Sequence, residues 1–133
     1  MPYEIDLPRI ARLLGVIDIV SVGPGEFLFR EGDGADALYI VKSGVVQVIA
    51  EDGVVYDTVG DGGIVGELAI VDEGARSASV FAHTGAELIK IDIPGFLELV
   101  ASEPEFALAV MRVMARRLRL MNSRRGAPAS VYV

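Results

Sequence analysis

A chain of 133 residues with 52% hydrophobic and 23% charged residues has apolar material for one core and too little for two packed domains. Twelve Lys and Arg against nineteen Asp and Glu leave a formal charge of −7, which opposes the phosphate backbone and argues against nucleic acid as a partner. The absence of cysteine and the single His83 exclude a disulfide framework, a thiolate metal site, a thiol nucleophile and any two-histidine metal motif.

The N-terminus, Met1-Pro2-Tyr3-Glu4-Ile5-Asp6, carries acids where a secretory leader needs a basic start and an apolar run. Mean hydropathy is high at +0.47. Charges or turn residues nevertheless interrupt every apolar run well short of the roughly 18 residues a membrane span needs, so the expectation is a cytoplasmic chain with no membrane partner. Asp6-Leu7-Pro8 places a capping acid before a first-turn proline and predicts a short helix through positions 10–14.

From there to position 92 the sequence reads as short β-branched runs, at 16–22, 26–29, 38–41, 45–49, 54–59, 79–81 and 88–91. Turns separate them at Gly23-Pro24-Gly25, Glu31-Gly32-Asp33-Gly34, Ser43-Gly44 and Asp52-Gly53, the last a hairpin signal because its turn needs positive φ. Many short strands with such turns predict a β-barrel or roll.

The stretch 59–78 carries the chemistry. A strand ending in Gly60-Asp61-Gly62-Gly63 and Gly66 turns into a single helical turn at 67–71, whose free backbone N–H groups form an anion site; Arg76 adds a full charge. Glu67 beside that site would repel a bare phosphate but can accept from a hydroxyl or pair with an arginine. An anion next to a hydroxyl describes a sugar phosphate. Asp72 and Glu73 are expected to face solvent, since carboxylates turned toward the anion would oppose it. His83 reads as an ordinary loop or strand-end residue.

Asp92 and Pro94 open a helix through Val100, and Ser102-Glu103-Pro104-Glu105 reads as a capping box for a longer helix ending near Asn122. Positions 1–122 form the predicted domain, and 123–133, with breakers and no apolar period, a flexible tail. On the long helix Phe106, Val110, Val113, Met114, Leu118, Leu120 and Met121 spread over nearly half the circumference, with Arg112, Arg116 and Arg119 opposite. So wide an arc is either a broad core face or a core face plus a partner helix in a homodimer. Arg117 falls inside the arc, where it must either snorkel to solvent or find an anion.

Gly66-Glu67-Leu68-Ala69 followed by Arg76-Ser77-Ala78 resembles the phosphate-binding cassette of cyclic nucleotide-binding domains. Residues 25–33, continuing through Asp36, Leu38-Tyr39-Ile40-Val41 and Ser43-Gly44, are similar to that family's early hairpin, and Met114-Ala115-Arg116-Arg117-Leu118 resembles the long helix of its catabolite activator branch. The resemblance covers roughly residues 10–122. It implies a mainly β fold, an antiparallel β-roll (double-stranded β-helix or jelly-roll) with a short N-terminal and a long C-terminal helix.

It further implies a cyclic nucleotide ligand, cAMP ahead of cGMP, with no cofactor, metal or catalysis. Glu67 would accept the ribose 2′-hydroxyl, and Arg76, Ser77 and the backbone at Gly66, Leu68 and Ala69 would hold the cyclic phosphate, with Val65 and Ala78 completing the pocket. Arg117 would reach Glu67 or the phosphate, and Met121 and Asn122 would lie near the base, Asn122 matching by position only. The family tends to have alanine after the arginine in cAMP sites and threonine in cGMP sites, where this chain has Ser77. Two positions depart from the pattern: Ala75 stands where proline is frequent, and Gly63 where an acid is common.

Too few residues follow the long helix for a helix-turn-helix, so the expectation is a stand-alone sensor that signals to an unidentified protein effector through movement of that helix, with a homodimer through it as a further possibility. The alternative is a roll kept as an oligomerisation or docking module that binds no nucleotide in the cell.

Overall fold

The structure, a computed structural model, describes residues 6–15 and 17–124; Val16, which opens the first predicted strand run, and positions 125–133 of the predicted tail lie outside the described residues. The chain runs α1 (Leu7–Leu14), β1 (Asp18–Val22), β2 (Glu26–Phe29), β3 (Ala37–Gly44), β4 (Val46–Ile49), β5 (Val55–Val59), β6 (Ile64–Val65), α2 (Glu67–Val71), β7 (Ser79–Ala82), β8 (Ala86–Asp92), α3 (Ile93–Ser102) and α4 (Pro104–Arg124). The strands form two four-stranded antiparallel sheets, β1-β8-β3-β6 and β2-β7-β4-β5. This is the expected β-roll with a short helix before it and a long one after it.

β3 explains the packing. Its residues 37–41 are all buried, because alternate side chains point to opposite faces and both faces are covered. Ala37, Tyr39 and Val41 point between the sheets, where Val46, Val48, Val65, Val80 and Leu88 meet them. Leu38 and Ile40 point outward and pack with Ile10, Ile70, Ile89, Leu99, Phe106 and Val110, a second core under the helices. Tyr39 lies opposite Lys90 of β8 on one side and Val65 of β6 on the other, which fixes the strand that leads into α2.

Local chemistry sets the ends of the elements. Asp6 accepts from the Arg9 amide at 3.1 Å and Asp92 from the Gly95 amide at 2.8 Å, capping α1 and α3. The β4–β5 hairpin turns at Asp52-Gly53, with Gly53 at φ 91° and its amide on the Ala50 carbonyl at 2.9 Å. The capping box is displaced: Ser102 closes α3, and the break falls at Glu103, whose backbone (φ −132°, ψ 84°) leaves the α region that a following Pro104 disfavours. Arg9 and Glu103 form an ion pair that ties α1 to this junction. α4 runs to Arg124, two residues past the expected end, so Ser123 and Arg124 belong to the helix. Among the described residues no helix is long and apolar enough to cross a membrane.

Candidate functional site

Gly66 is the hinge between β6 and α2. Its φ of 83° is in the left-handed region, and a Cβ built there would lie 2.7 Å from Nη1 of Arg76, so both the backbone and the neighbouring cation require glycine. The stretch after α2 folds back on the turn at positions 30–33 between β2 and β3: the Arg76 amide donates to the Asp33 carbonyl at 2.9 Å, and the Gly32 amide to the Arg76 carbonyl at 2.8 Å. The two sequence stretches that carried the resemblance thus dock on each other, and their contact delivers Arg76 to the interior.

Arg76 is 4% exposed, yet its hydrogen bonds go to neutral oxygens: Nη1 to the Gly66 carbonyl at 2.9 Å and Nη2 to the Ala37 carbonyl at 2.6 Å. Its guanidinium carbon lies 4.0 Å from the Phe29 ring centroid and 5.9 Å from that of Tyr39. Nε is buried and has no hydrogen-bond partner among the described residues. Burial lowers its pKa, and the fields of Tyr39, Asp36, Glu67 and Asp33 oppose that without overcoming it.

Arg117 is the opposite case. It is 3% exposed, and its Nη1 donates to Glu67 Oε1 at 2.7 Å, Nε to Asp57 Oδ2 at 3.2 Å and Nη2 to the Ile64 carbonyl at 2.9 Å. Of the two alternatives left open for this residue, pairing holds and snorkelling does not. Burial pushes the Glu67 carboxyl above its usual range, partly offset by Arg117 and by the backbone N–H groups of Glu67 and Leu68. Burial would also raise Asp57, but Arg116 and Arg117 together outweigh it and hold that carboxyl below the ordinary range.

Glu67, Arg76 and Arg117 converge on one narrow cleft with a cavity volume of about 20 Å³, partly open to solvent and also lined by Phe29, Val48, Gly66, Leu68, Ala69, Ser77, Ala78, Val80 and Met121. Nine of the expected residues therefore come together: Gly66, Glu67, Leu68, Ala69, Arg76, Ser77, Ala78, Arg117 and Met121. Val65 is buried in β6 and does not line the cleft, and Asn122 lies outside the lining because one helical step rotates it about 100° from Met121. Asp72 and Glu73 face solvent, and His83 is an exposed residue beside the Phe81 ring.

Phe29, Val48, Val80 and Asp57 were missed. Strand alternation could have placed Val48 and Val80 inward, where they pair directly across β4 and β7. Of the two departures from the resembled pattern, Ala75 is exposed, whereas Gly63 is required by packing: a Cβ there would come within 2.2 Å of Val59 Cγ1. Among the described residues no group of three or more His, Cys, Asp or Glu is placed to hold a metal ion.

Comparison with known proteins finds that the pattern of a family described as cyclic nucleotide-binding domain matches residues 19–103. An uncharacterized NTE family protein of Mycobacterium tuberculosis is 32% identical over 116 residues, covering 87% of this chain and 20% of that protein. The CRP-like cAMP-activated global transcriptional regulator of the same species is 34% identical over 118 residues, covering 86% of this chain and 53% of that one. The crystal structure of the Thermus thermophilus catabolite activator protein aligns with a TM-score of 0.72 at 30% identity, covering 90% of this chain and 58% of that one. The chain thus spans from about a fifth to little more than half the length of these relatives.

Proposed function

This chain belongs to the cyclic nucleotide-binding domain family, and on that premise we propose that its cleft binds cAMP in preference to cGMP and that α4 transmits the event to a protein partner. The observation that carries this reading is Arg76, a buried guanidinium held by carbonyls and aromatic rings, with one N–H unpartnered and no carboxylate within hydrogen-bond reach among the described residues. A singly charged cyclic phosphate supplies the missing anion, and the exposed Ser77 hydroxyl beside it can donate to the same group. Glu67 already has Arg117 on Oε1, which leaves the carboxylate able to accept from a ribose hydroxyl.

The preference for cAMP is supported by the relative named for its activation by that nucleotide, and by Met121, which offers the base an apolar wall. The role proposed is regulatory binding in the cytoplasm, without turnover and without a cofactor. α4 also presents Leu108, Met111, Ala115 and Leu118 to solvent at spacings of three, four and three, with Leu108 and Met111 43% and 59% exposed. That seam supports a homodimer through α4.

Calorimetry with cAMP and cGMP side by side tests the reading. Saturable binding of cAMP, tighter than cGMP, is expected, with about 2.7 kcal/mol of added stability at a hundredfold excess over the dissociation constant. Flat titrations with both nucleotides overturn it and leave a docking roll in its place.

A further inference from the structure

Arg116 and Arg117 are adjacent on α4 and their side chains leave the helix about 100° apart, yet both reach one carboxylate. Arg116 Nη2 and Nε lie 3.1 and 3.4 Å from Oδ1 and Oδ2 of Asp57, and Arg117 Nε lies 3.2 Å from Oδ2. The Asp57 side chain is 8% exposed and that of Arg117 4%, whereas that of Arg116 is 64% exposed and covers the pair from the solvent side. Arg117 extends the connection to Glu67 on α2 and to the Ile64 carbonyl on β6, so one point of the helix is tied to three elements of the roll. α4 contributes only Arg117 and Met121 to the cleft, one turn apart on the same face.

We propose that Asp57 is a positioning residue that clasps α4 over the cleft: by gripping Arg116 and Arg117 from β5 it fixes the helix's rotation, and so sets where Met121 closes on a bound nucleotide and how long that nucleotide stays. The part concerning residence time rests on the reading of the cleft given above. Two neighbouring cations converging on one acid hold a helix against both roll and lift, which a single pair does not do. Without Asp57, Arg117 would keep only its two terminal nitrogens engaged, on Glu67 and the Ile64 carbonyl, and Arg116 would lose its hold on the roll. With Asp57 on Nε of Arg117, the plane of that guanidinium is fixed as well.

The test uses the full chain and a fluorescent cAMP analogue in stopped-flow displacement. D57N keeps the shape and removes the charge; dissociation is expected to quicken about tenfold with association within twofold, D57E should recover most of the loss, and R116A should quicken dissociation no more than threefold. A double-mutant cycle of D57N with R117K is expected to be non-additive. Without nucleotide, amide exchange over 116–122 should rise at least tenfold in D57N while α3 is unchanged; a merely structural role would raise both. Wild-type dissociation from a folded D57N protein overturns the proposal, as does uniform exchange. If D57N does not fold, R116A carries the same exchange comparison, and unchanged exchange over 116–122 in that variant overturns it. If the wild-type chain binds no cyclic nucleotide, the reading of the cleft fails by itself and the exchange measurement alone decides the clasp.

Discussion

The roll side and the helix side of the cleft each bury one arginine, and they do so in opposite ways. Arg76, 4% exposed, is held by two carbonyl oxygens and an aromatic face; Arg117, 3% exposed, is held by two carboxylates and a carbonyl. A buried cation among neutral acceptors retains an unbalanced charge, and one between two acids does not. On the function proposed above, the difference divides the work: an incoming anion would be drawn to Arg76, whereas Arg117 ties α4 to the roll. It would also reconcile an overall charge of −7 with the proposed binding of an anion at one place.

The sharpest way to break this comparison is to remove each cation's role in turn. Arg76→Ala should cost between about 2 and 5 kcal/mol of nucleotide affinity, since a desolvated charged partner is lost. Calorimetry against wild type measures it, and near-wild-type affinity in a folded variant would mean the anion sits elsewhere. Glu67→Gln attacks the other side. Losing a carboxylate from a buried pair typically costs roughly 3–5 kcal/mol, but Arg117 keeps Asp57 and the Ile64 carbonyl, so about 2 kcal/mol of stability is expected in urea unfolding.

The same two acids give stability opposite dependences on pH. Asp57, held below its ordinary range, contributes stability that is present above about pH 4 and is lost as pH falls through its folded-state value. Glu67, raised by burial, binds a proton more readily in the folded state, so its share is greatest below about pH 4 and declines as pH rises through its folded-state value. Removing Asp57 should therefore flatten the acid limb of the stability curve, and removing Glu67 should steepen it. Identical acid limbs for D57N and E67Q would erase the distinction between the two carboxylates.

How much of this could be read in advance follows the same division. The cassette was legible because Gly66, Glu67, Arg76 and Ser77 sit close in sequence: the glycine turn and the two charges suggested an anion site, and the resemblance supplied the expected role of Ser77. Arg117 was legible as an anomaly, a cation within an apolar arc. Asp57 was not: Val55-Tyr56-Asp57-Thr58-Val59 has no clean alternation to single it out, and its partners come from a helix about 60 positions later. β6, two residues long, gives no periodicity to detect, and its existence depends on pairing with Tyr39 and Ile40 of β3. The break between α3 and α4 was placed at the correct proline, while the cap was assigned one position early because Ser102 is as good a capping residue as the helix end it occupies is an ordinary one.

Gly66→Ala probes the hinge that both sides share. The left-handed backbone alone costs about 1–2 kcal/mol with a side chain, and the new methyl would press on Arg76. Affinity should fall with stability in this variant, whereas Glu67→Gln in the presence of saturating ligand should recover part of its loss; thermal unfolding with and without cAMP separates the two.

The smallest effect concerns Ser77, which lines the cleft but is exposed and holds no buried charge. A neutral hydroxyl donating to the phosphate contributes about 0.5–1.5 kcal/mol, so Ser77→Ala should weaken binding by severalfold and leave stability unchanged. Ser77→Thr keeps the donor and adds a methyl, and the ratio of cGMP to cAMP affinity should rise while the sum of the two changes little. If Ser77→Ala instead cost as much as Arg76→Ala, the phosphate would have to lie against the loop rather than over the buried guanidinium, and the contrast between the two arginines would no longer account for where the anion binds.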